Sequence, residues 1–431
     1  MVARFLLPGG LLYSLLLVAV ALLDGRMLIL ALPLGIYLLA ALYYGPYQAR
    51  LRATHSFSTD RAVEGALVDV QLEIENQGQG LEEVLVVDRL PPGLELAAGR
   101  PAALTSLPPG GRFRFSYTVR VARGGYTFHE VQAVASDLFG LFQRRLTLPA
   151  PDQLLVLPRI VKLRSLAIRP LRTRSYAGPV PARQAGSGVD FYGVREYHLG
   201  DPRRWINWRL SARHPHTLFT NEFEQERIAD VGLILDARQR SEVRFGGESL
   251  FEHAVQAAAS LAGSFLDSGN RVGLLIYGRA LDWTFPGYGK IQRERIVQAL
   301  ARARTGDSQV FDRLDYLPTR FFPAQSQIVL VSPLWSDDVP TLIRLRARRY
   351  QILVVRPDPV SLELHSLPAQ PEVALAARIA GLERSLMRRR LLQAGITVVD
   401  WHVDQSLDQA IYAAMGRVPV WTRATGLEGQ L

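Results

Sequence analysis

After Arg4 the first forty-odd residues of this chain are apolar, save for one break at Asp24, Gly25 and Arg26. Residues 5–23 and 27–44 each run about 18 residues without a charge, close to the roughly 20 that cross about 30 Å of hydrocarbon as a helix. In hydrocarbon every backbone amide must be paired within its own segment, and a charge at the centre costs on the order of 3 kcal/mol, so charges collect at the turn. The expectation is a transmembrane helical hairpin over residues 1–52. A cleavable signal peptide competes with it, but the apolar stretch is too long, its leading charge is the single Arg4, and a second apolar stretch follows at once. Arg4 before the first span and Arg50 and Arg52 after the second predict both termini on the cytoplasmic side of a bacterial inner membrane, with the lipid bilayer as one partner.

The chain has no cysteine, which excludes disulfides and thiolate metal sites and leaves ordinary apolar cores to hold any soluble part. Its formal net charge of +10 is carried almost wholly by arginine, Lys162 and Lys290 being the only lysines. Residues 159–183 hold seven basic side chains and no acid, a pattern that fits anionic lipid, an acidic partner or nucleic acid, or a solvated basic linker.

Residues 53–150 read as short strands. Leu67, Val68, Val70, Leu72 and Ile74 alternate up to Asn76, residues 84–87 resume, and Phe113, Phe115, Tyr117 and Val119 alternate again, as do residues 126–135. About seven such strands in roughly 100 residues predict an antiparallel β-sandwich without a titratable constellation. From Val231 the pattern changes. Apolar strands at 231–235, 272–277, 328–332, 352–356 and 396–400 alternate with helical stretches at 250–266, 291–303, 339–348 and 373–393. Continuous apolar strands alternating with helices predict a doubly wound parallel α/β sheet over residues 228–416, with a tail at 417–431. Ligands of such sheets sit beyond the carboxyl ends of the strands, which singles out Asp236, Ser332 and Asp400.

Between these regions, residues 151–227 comprise the basic linker and a distinctive segment. Gly186, Ser187 and Gly188 open a stretch containing Phe191, Val194, Arg195, Glu196, Tyr197, Gly200, Asp201, Arg204, Ile206, Trp208, Ser211, Ala212 and Arg213. This segment resembles the signature of family 58 of the domains of unknown function, a bacterial membrane-protein family. Arg123, Gly124 and Tyr126, followed by Asp137, Phe139, Gly140, Leu141 and Phe142, resemble that family's closing sandwich motif, with Leu138 where proline is usual. The resemblance covers nearly the whole chain and implies a multi-domain architecture: hairpin, sandwich, signature, then a fold similar to a von Willebrand factor A domain. It further implies work with a MoxR-type AAA+ ATPase, and with a transglutaminase-like membrane protein.

Within the signature, Arg195, Glu196, Tyr197, Gly200, Asp201, Arg204, Trp208, Ser211 and Arg213 are the candidate binding residues. Arg195 beside Glu196, and Asp201 near Arg204, are opposite charges able to form a local network, with Tyr197, Trp205 and Trp208 as stacking surfaces. Such a network serves either as a brace docked on the second domain or as a partner-binding surface.

A-type domains often hold a divalent ion with an aspartate, two serines, a threonine and a second aspartate. Here Asp236 is followed by Arg238 and Arg240 at both serine positions, Ser308 stands for the threonine, and Pro333 follows Ser332 where the second aspartate would be. Two guanidinium groups repel a hard cation, so we expect a lost ion site, no metal and no cofactor, with Asp236 paired to Arg238 or Arg240.

Other chemistry is sparsely represented. Gly287, Tyr288, Gly289 and Lys290 precede a helix, but Ile291 stands where a phosphate loop needs serine or threonine, and His214 and His216 have no carboxylate or thiol at ligand spacing. Asp190, Glu196, Asp201, Glu222, Glu224 and Glu226 interrupt the basic patch, which argues against nucleic acid. The expectation is a non-enzymatic scaffold. A metal-dependent enzyme or adhesion domain at Asp236 and a cell-envelope structural protein are the alternatives.

Overall fold

The computed structural model describes residues 3–23, 25–43, 49–136, 141, 143–164, 173–174, 180–214, 216–308, 310–318, 321–323, 326–364, 367–368 and 370–415. The chain divides into two compact units, Met1–Leu157 and Pro158–Leu431.

The first unit opens with two apolar helices, α1 (Ala3–Leu22) and α2 (Gly25–Tyr43). Helix α2, with a mean hydropathy of 1.9, is long and apolar enough to cross a membrane, whereas the apolar stretch Leu6–Leu22 is shorter. Among the described residues of this unit the strands are β1 (Leu51–Phe57), β2 (Arg61–Val63), β3 (Leu67–Asn76), β4 (Leu81–Asp88), β5 (Leu94–Ala98), β6 (Ala102–Leu107), β7 (Arg112–Val121), β8 (Gly124–Ser136) and β9 (Gln143–Leu157). They form a four-stranded sheet in the order β1-β3-β7-β5 and a five-stranded sheet in the order β2-β9-β8-β4-β6. Along β3, Val68, Val70, Leu72 and Ile74 are buried and the residues between them are not, the period of two that puts alternate side chains on one face. Leu72 and Ile74 pack with Val84, Val86, Val131 and Ala133 of the other sheet, and Val68, Val70 and Val119 pack with Phe128, Leu154 and Val156. Strand β9 continues to Leu157, beyond residue 150 where the linker was expected to start.

The same interior holds charges that the sequence reading missed. His55 of β1, Asp88 at the end of β4 and Tyr117 of β7 are all buried. The Tyr117 hydroxyl donates to Asp88 Oδ2 at 2.6 Å, while His55 places Nε2 2.9 Å from that oxygen and Nδ1 3.0 Å from the Ala150 carbonyl. Both ring nitrogens face oxygen atoms, an arrangement that an imidazole protonated on each nitrogen satisfies. Burial opposes that charge, but hydrogen bonding to Asp88 and its negative charge outweigh burial and raise the histidine above its usual value. No titratable constellation was expected here, because the three residues lie 29 to 62 positions apart and only strand pairing brings them together.

The second unit has strands β10 (Thr173–Arg174) and β11 (Val180–Glu196), the short helix α3 (Trp208–Ser211) and the long strand β12 (Phe219–Ala237). The hairpin β13 (Arg244–Phe245) and β14 (Glu248–Ser249) leads to α4 (Leu250–Asp267), β15 (Arg271–Gly278), β16 (Leu281–Gly287), α5 (Gly289–Arg302), β17 (Gln327–Val331) and α6 (Val339–Ala347). The remaining elements are β18 (Gln351–Pro357), α7 (Pro359–Leu364), α8 (Pro371–Gln393), β19 (Thr397–Trp401) and α9 (Leu407–Met415). The main sheet runs β16-β15-β12-β17-β18-β19, parallel from β15 to β19, with β16 an antiparallel edge.

Strand β12 explains its own apolar run. Leu233 and Leu235 pack on one face with Phe251 and Leu261 of α4 and Leu300 of α5, while Ile234 packs on the other with Leu342 of α6 and Leu391 of α8. Both faces are covered, so alternation disappears and the run reads as continuous. Helix α4 begins where the Ser249 hydroxyl accepts the Glu252 amide at 3.3 Å. It ends at Gly269, whose φ of 73° lets the Asn270 amide return to the Phe265 carbonyl at 3.0 Å.

Candidate functional site

In the main sheet the chain first places β15 and β16 on one side of β12, then crosses back to build β17, β18 and β19 on the other. The carboxyl end of β12 is therefore the switch point at which ligands of open α/β sheets sit. Asp236 stands there, buried, with Tyr277 opposite it on β15 and Ser332 just past the end of β17.

A guanidinium fills this place. Arg238 turns back over Asp236, donating from Nε to Oδ1 at 2.8 Å and from Nη2 to Oδ2 at 2.7 Å. Its other edge meets Asp338, Nη1 to Oδ1 and Nη2 to Oδ2, both at 2.8 Å, and Nη1 also donates to the Asp312 carbonyl at 3.0 Å. Those five bonds use all five N–H groups of the side chain. The Ser332 hydroxyl donates to Asp236 Oδ2 at 2.6 Å and accepts the Leu334 amide at 3.0 Å, with Leu334 held at a φ of 55°, unusual for a branched side chain. Asp338 is fixed from behind by the Trp335 amide, 3.1 Å from its Oδ2.

Burial alone would raise the Asp236 carboxyl. The hydrogen bonds and charge of Arg238, helped by Ser332, outweigh it and hold the group below the ordinary carboxylate range. The guanidinium is likewise opposed by burial and is held charged by Asp236 and Asp338. Arg240 forms an outer layer, 2.9 Å from both Asp337 Oδ2 and Asp338 Oδ1, with its guanidinium 5.9 Å from the Trp335 ring centre. Asp337 is pushed up by partial burial and down, more strongly, by Arg240. Beside the network Trp335 and Arg313 are exposed, Trp335 next to Arg240 and Arg313 3.8 Å from Asp337.

Both arginines of the sequence motif are thus engaged, Arg238 with Asp236 and Arg240 with Asp337 and Asp338. Ser308 is not brought to Asp236; its hydroxyl accepts the Phe311 amide at 3.3 Å within its own loop. The second acid is Asp338 rather than a residue beside Ser332, and the sequence reading missed it along with Asp337. The available signal was a run of Ser336, Asp337 and Asp338 immediately before a helix, where acids favour the positive end of the helix dipole. No group of three or more His, Asp or Glu side chains arranged to hold a metal occurs among the described residues.

Asp400, also singled out from the sequence, meets the buried Arg356 at 2.6 Å, with Arg388 3.5 Å away. Beside them Arg384 pairs with Asp358 at 3.1 Å, and burial together with the charge of Arg356 lowers it to about 10.

The signature residues gather at the opposite end of β12. Strand β11 pairs antiparallel with the first half of β12, placing Arg195 across from Thr220. Arg195 grips Asp201 bidentately at 2.7 Å on both oxygens and reaches Glu222 Oε1 at 2.8 Å. It meets Glu196 only through the carbonyl, at 2.8 Å, because neighbours along a strand point to opposite faces, whereas Glu222 lies diagonally across the pair on the same face. The hydrogen bond from Arg195, followed by the His198 amide, lowers Asp201 to about 2. The expected Asp201 and Arg204 pairing gives way to this grip, and Arg204 lies 5.8 Å from the Trp205 ring centre. The Tyr197 amide donates to the Leu218 carbonyl at 2.8 Å, and Gly200 makes the turn at a φ of 111°. The Ser211 hydroxyl accepts the Phe219 amide at 2.9 Å. The Arg213 amide closes on Leu210 at 3.0 Å, and Trp208 is exposed at the start of α3. Asp137, Leu138, Phe139, Gly140 and Phe142 of the closing motif lie outside the described residues, as do the side chains of 165–190.

The chain is similar to an uncharacterized protein, YeaD, of Bacillus subtilis (strain 168), 29% identical over 201 residues that make up 46% of this chain and 48% of that protein. It therefore spans about half the length of the curated relative it matches. Among solved structures, the CARDB domain of the PF1109 protein from Pyrococcus furiosus is 14% identical, covering 26% of this chain and 90% of that one at a TM-score of 0.19. The cupredoxin domain of amoB from Nitrosocaldus yellowstonii is 12% identical, covering 30% and 99% at a TM-score of 0.19. Likenesses this slight bear on neither function nor ligand. From the signature turn through most of α8, residues 193–389 match the family described as "Protein of unknown function DUF58".

Proposed function

We propose that this chain is a non-enzymatic, membrane-anchored scaffold that binds protein partners. In this reading α1 and α2 are a two-pass anchor in a bacterial inner membrane, with the soluble units on the cytoplasmic side. The first unit is an antiparallel β-sandwich, and the second is a von Willebrand factor A-like domain whose strand-end loops face a protein partner. The observation that carries it is the seating of Arg238, whose five donors saturate Asp236, Asp338 and the Asp312 carbonyl where an A-type domain would hold its ion. A hard divalent cation takes six or more oxygen ligands, and here the oxygens are already committed to a fixed internal cation, so these residues do not fit a metal. Trp335 and Arg313, exposed beside the network, have the aromatic and arginine character enriched in protein interfaces.

The partner in this proposal is a MoxR-type AAA+ ATPase, with a transglutaminase-like membrane protein in the same assembly. The scaffold holds a client while the ATPase remodels or matures it. Co-purification of the full chain in mild detergent, with the ATPase trapped by a non-hydrolysable nucleotide, is the test. Recovery of no AAA+ ATPase would sink the partner assignment, and stoichiometric micromolar binding of manganese by calorimetry would sink the filled-site assignment.

A further inference from the structure

Between the signature turn and the start of β12, residues 202–218 carry four arginines, Arg203, Arg204, Arg209 and Arg213, and no acidic residue. All four are exposed, and none has an ion pair among the described residues. The acids that border this stretch, Asp201 before it and Glu222 after it, both bind Arg195. Helix α3 starts where the Asn207 side chain accepts the Leu210 amide at 3.0 Å, and it turns Ser211 inward to take the Phe219 amide. At about 100° per residue, Trp208, Arg209 and Ala212 then fall within roughly 100° of one another on the outward side, where Trp208 is 66% exposed. The charges around Trp208 choose the partner. The aromatic anchor of a protein interface sits in a core depleted of charge, whereas Trp208 has exposed arginine beside it and no acid to balance it. Trp335, at the Asp236 end of the sheet, also lies beside an arginine, but Asp337 and Asp338 balance Arg240 there. Tryptophan among uncompensated arginines is the composition of a bilayer-surface contact, with the indole at headgroup level and the guanidinium groups on lipid phosphates.

We propose that this crossover between β11 and β12 docks on an anionic lipid surface. The inference rests on the membrane-anchored reading above, because a tethered unit meets lipid at high local concentration and a weak contact then suffices. Each arginine close to an anionic leaflet raises the docked fraction by about five-fold. The chain has no cysteine, so Ala212→Cys carries a polarity-sensitive dye in the full chain reconstituted into vesicles. In vesicles of equal parts phosphatidylglycerol and phosphatidylcholine the emission shifts to the blue and is quenched by bromines on the acyl chains, while in pure phosphatidylcholine it reports water. Ser336→Cys, exposed next to Asp337 at the other end of the sheet, reports water in both. Replacing the two exposed neighbours, Arg209→Gln with Arg213→Gln, lowers the ratio of docked to free emission about thirty-fold in the Ala212→Cys background. Equal emission in the two kinds of vesicle, or a shift untouched by the arginine replacements, would overturn the proposal. So would a shift that needs an added protein in place of anionic lipid. Flotation of the full chain with pure phosphatidylcholine vesicles reports the anchor by itself, so loss of flotation and loss of the shift are distinct failures.

Discussion

Replacing Arg238 by alanine tests whether the guanidinium is the internal cation of the second unit. The change leaves the Asp236 and Asp338 carboxylates, both with side chains 0% exposed, without their shared partner. Removing one member of a buried ion pair costs about 3–5 kcal/mol, because the remaining charge is stranded rather than because the pair itself was worth so much. For a unit of this size, that corresponds to a fall in Tm of roughly 6–20 °C. The assay is thermal unfolding of the full chain in detergent, followed by near-ultraviolet dichroism, at neutral pH and at pH 5. The loss should be smaller at pH 5, where one of the two stranded carboxyls takes up a proton at less cost. Arg238→Ser should behave similarly but regain stability on adding manganese, by about 2.7 kcal/mol at a hundredfold excess over Kd, since the freed oxygens can then turn to a metal. The native chain should show no manganese response. A cost below about 1 kcal/mol for Arg238→Ala, in the range of an exposed pair, would refute the reasoning.

The pair of His55 and Asp88 makes the first unit sensitive to alkali. Because His55 is raised above 6.5, its contribution is complete below that pH and is lost as pH rises through the raised value, so the unfolding midpoint should fall on the alkaline side and stop doing so in His55→Phe. A midpoint independent of pH in the native chain would contradict it. Asp201 works in the opposite direction. Its lowered value of about 2 keeps the Arg195 grip formed at neutral pH and releases it as pH falls from about 4 toward 2, so amide exchange across residues 197–201 should speed up in acid, as it should at neutral pH in Asp201→Asn. Gly278→Ala should cost about 1–3 kcal/mol in thermal unfolding, because the new Cβ would lie 2.3 Å from the Ala237 carbonyl oxygen beside Asp236.

Local periodicity made much of the fold legible. Buried β3 and β7 announce themselves by alternation, and β15, β17 and β18 by unbroken apolar runs, because those patterns report which faces are covered. The presence of Arg238 and Arg240 close after Asp236 was also readable, since it concerns near neighbours along the chain. Other features were not. The full length of β12, with its first half paired to β11 and its second half central to the parallel sheet, depends on two different partners contributed by distant segments.

By itself, then, the sequence determined that an arginine would stand beside a lone carboxylate at the end of the first parallel strand. Only the tertiary structure decided what that arginine does. Asp338 lies one hundred residues further along the chain, and the sheet order that sets β17 next to β12 carries it to the far edge of the guanidinium. A side chain's own spacing reports its local neighbours, but a buried cation needs compensation on every side, and the chain crossing back over the sheet supplies the other half.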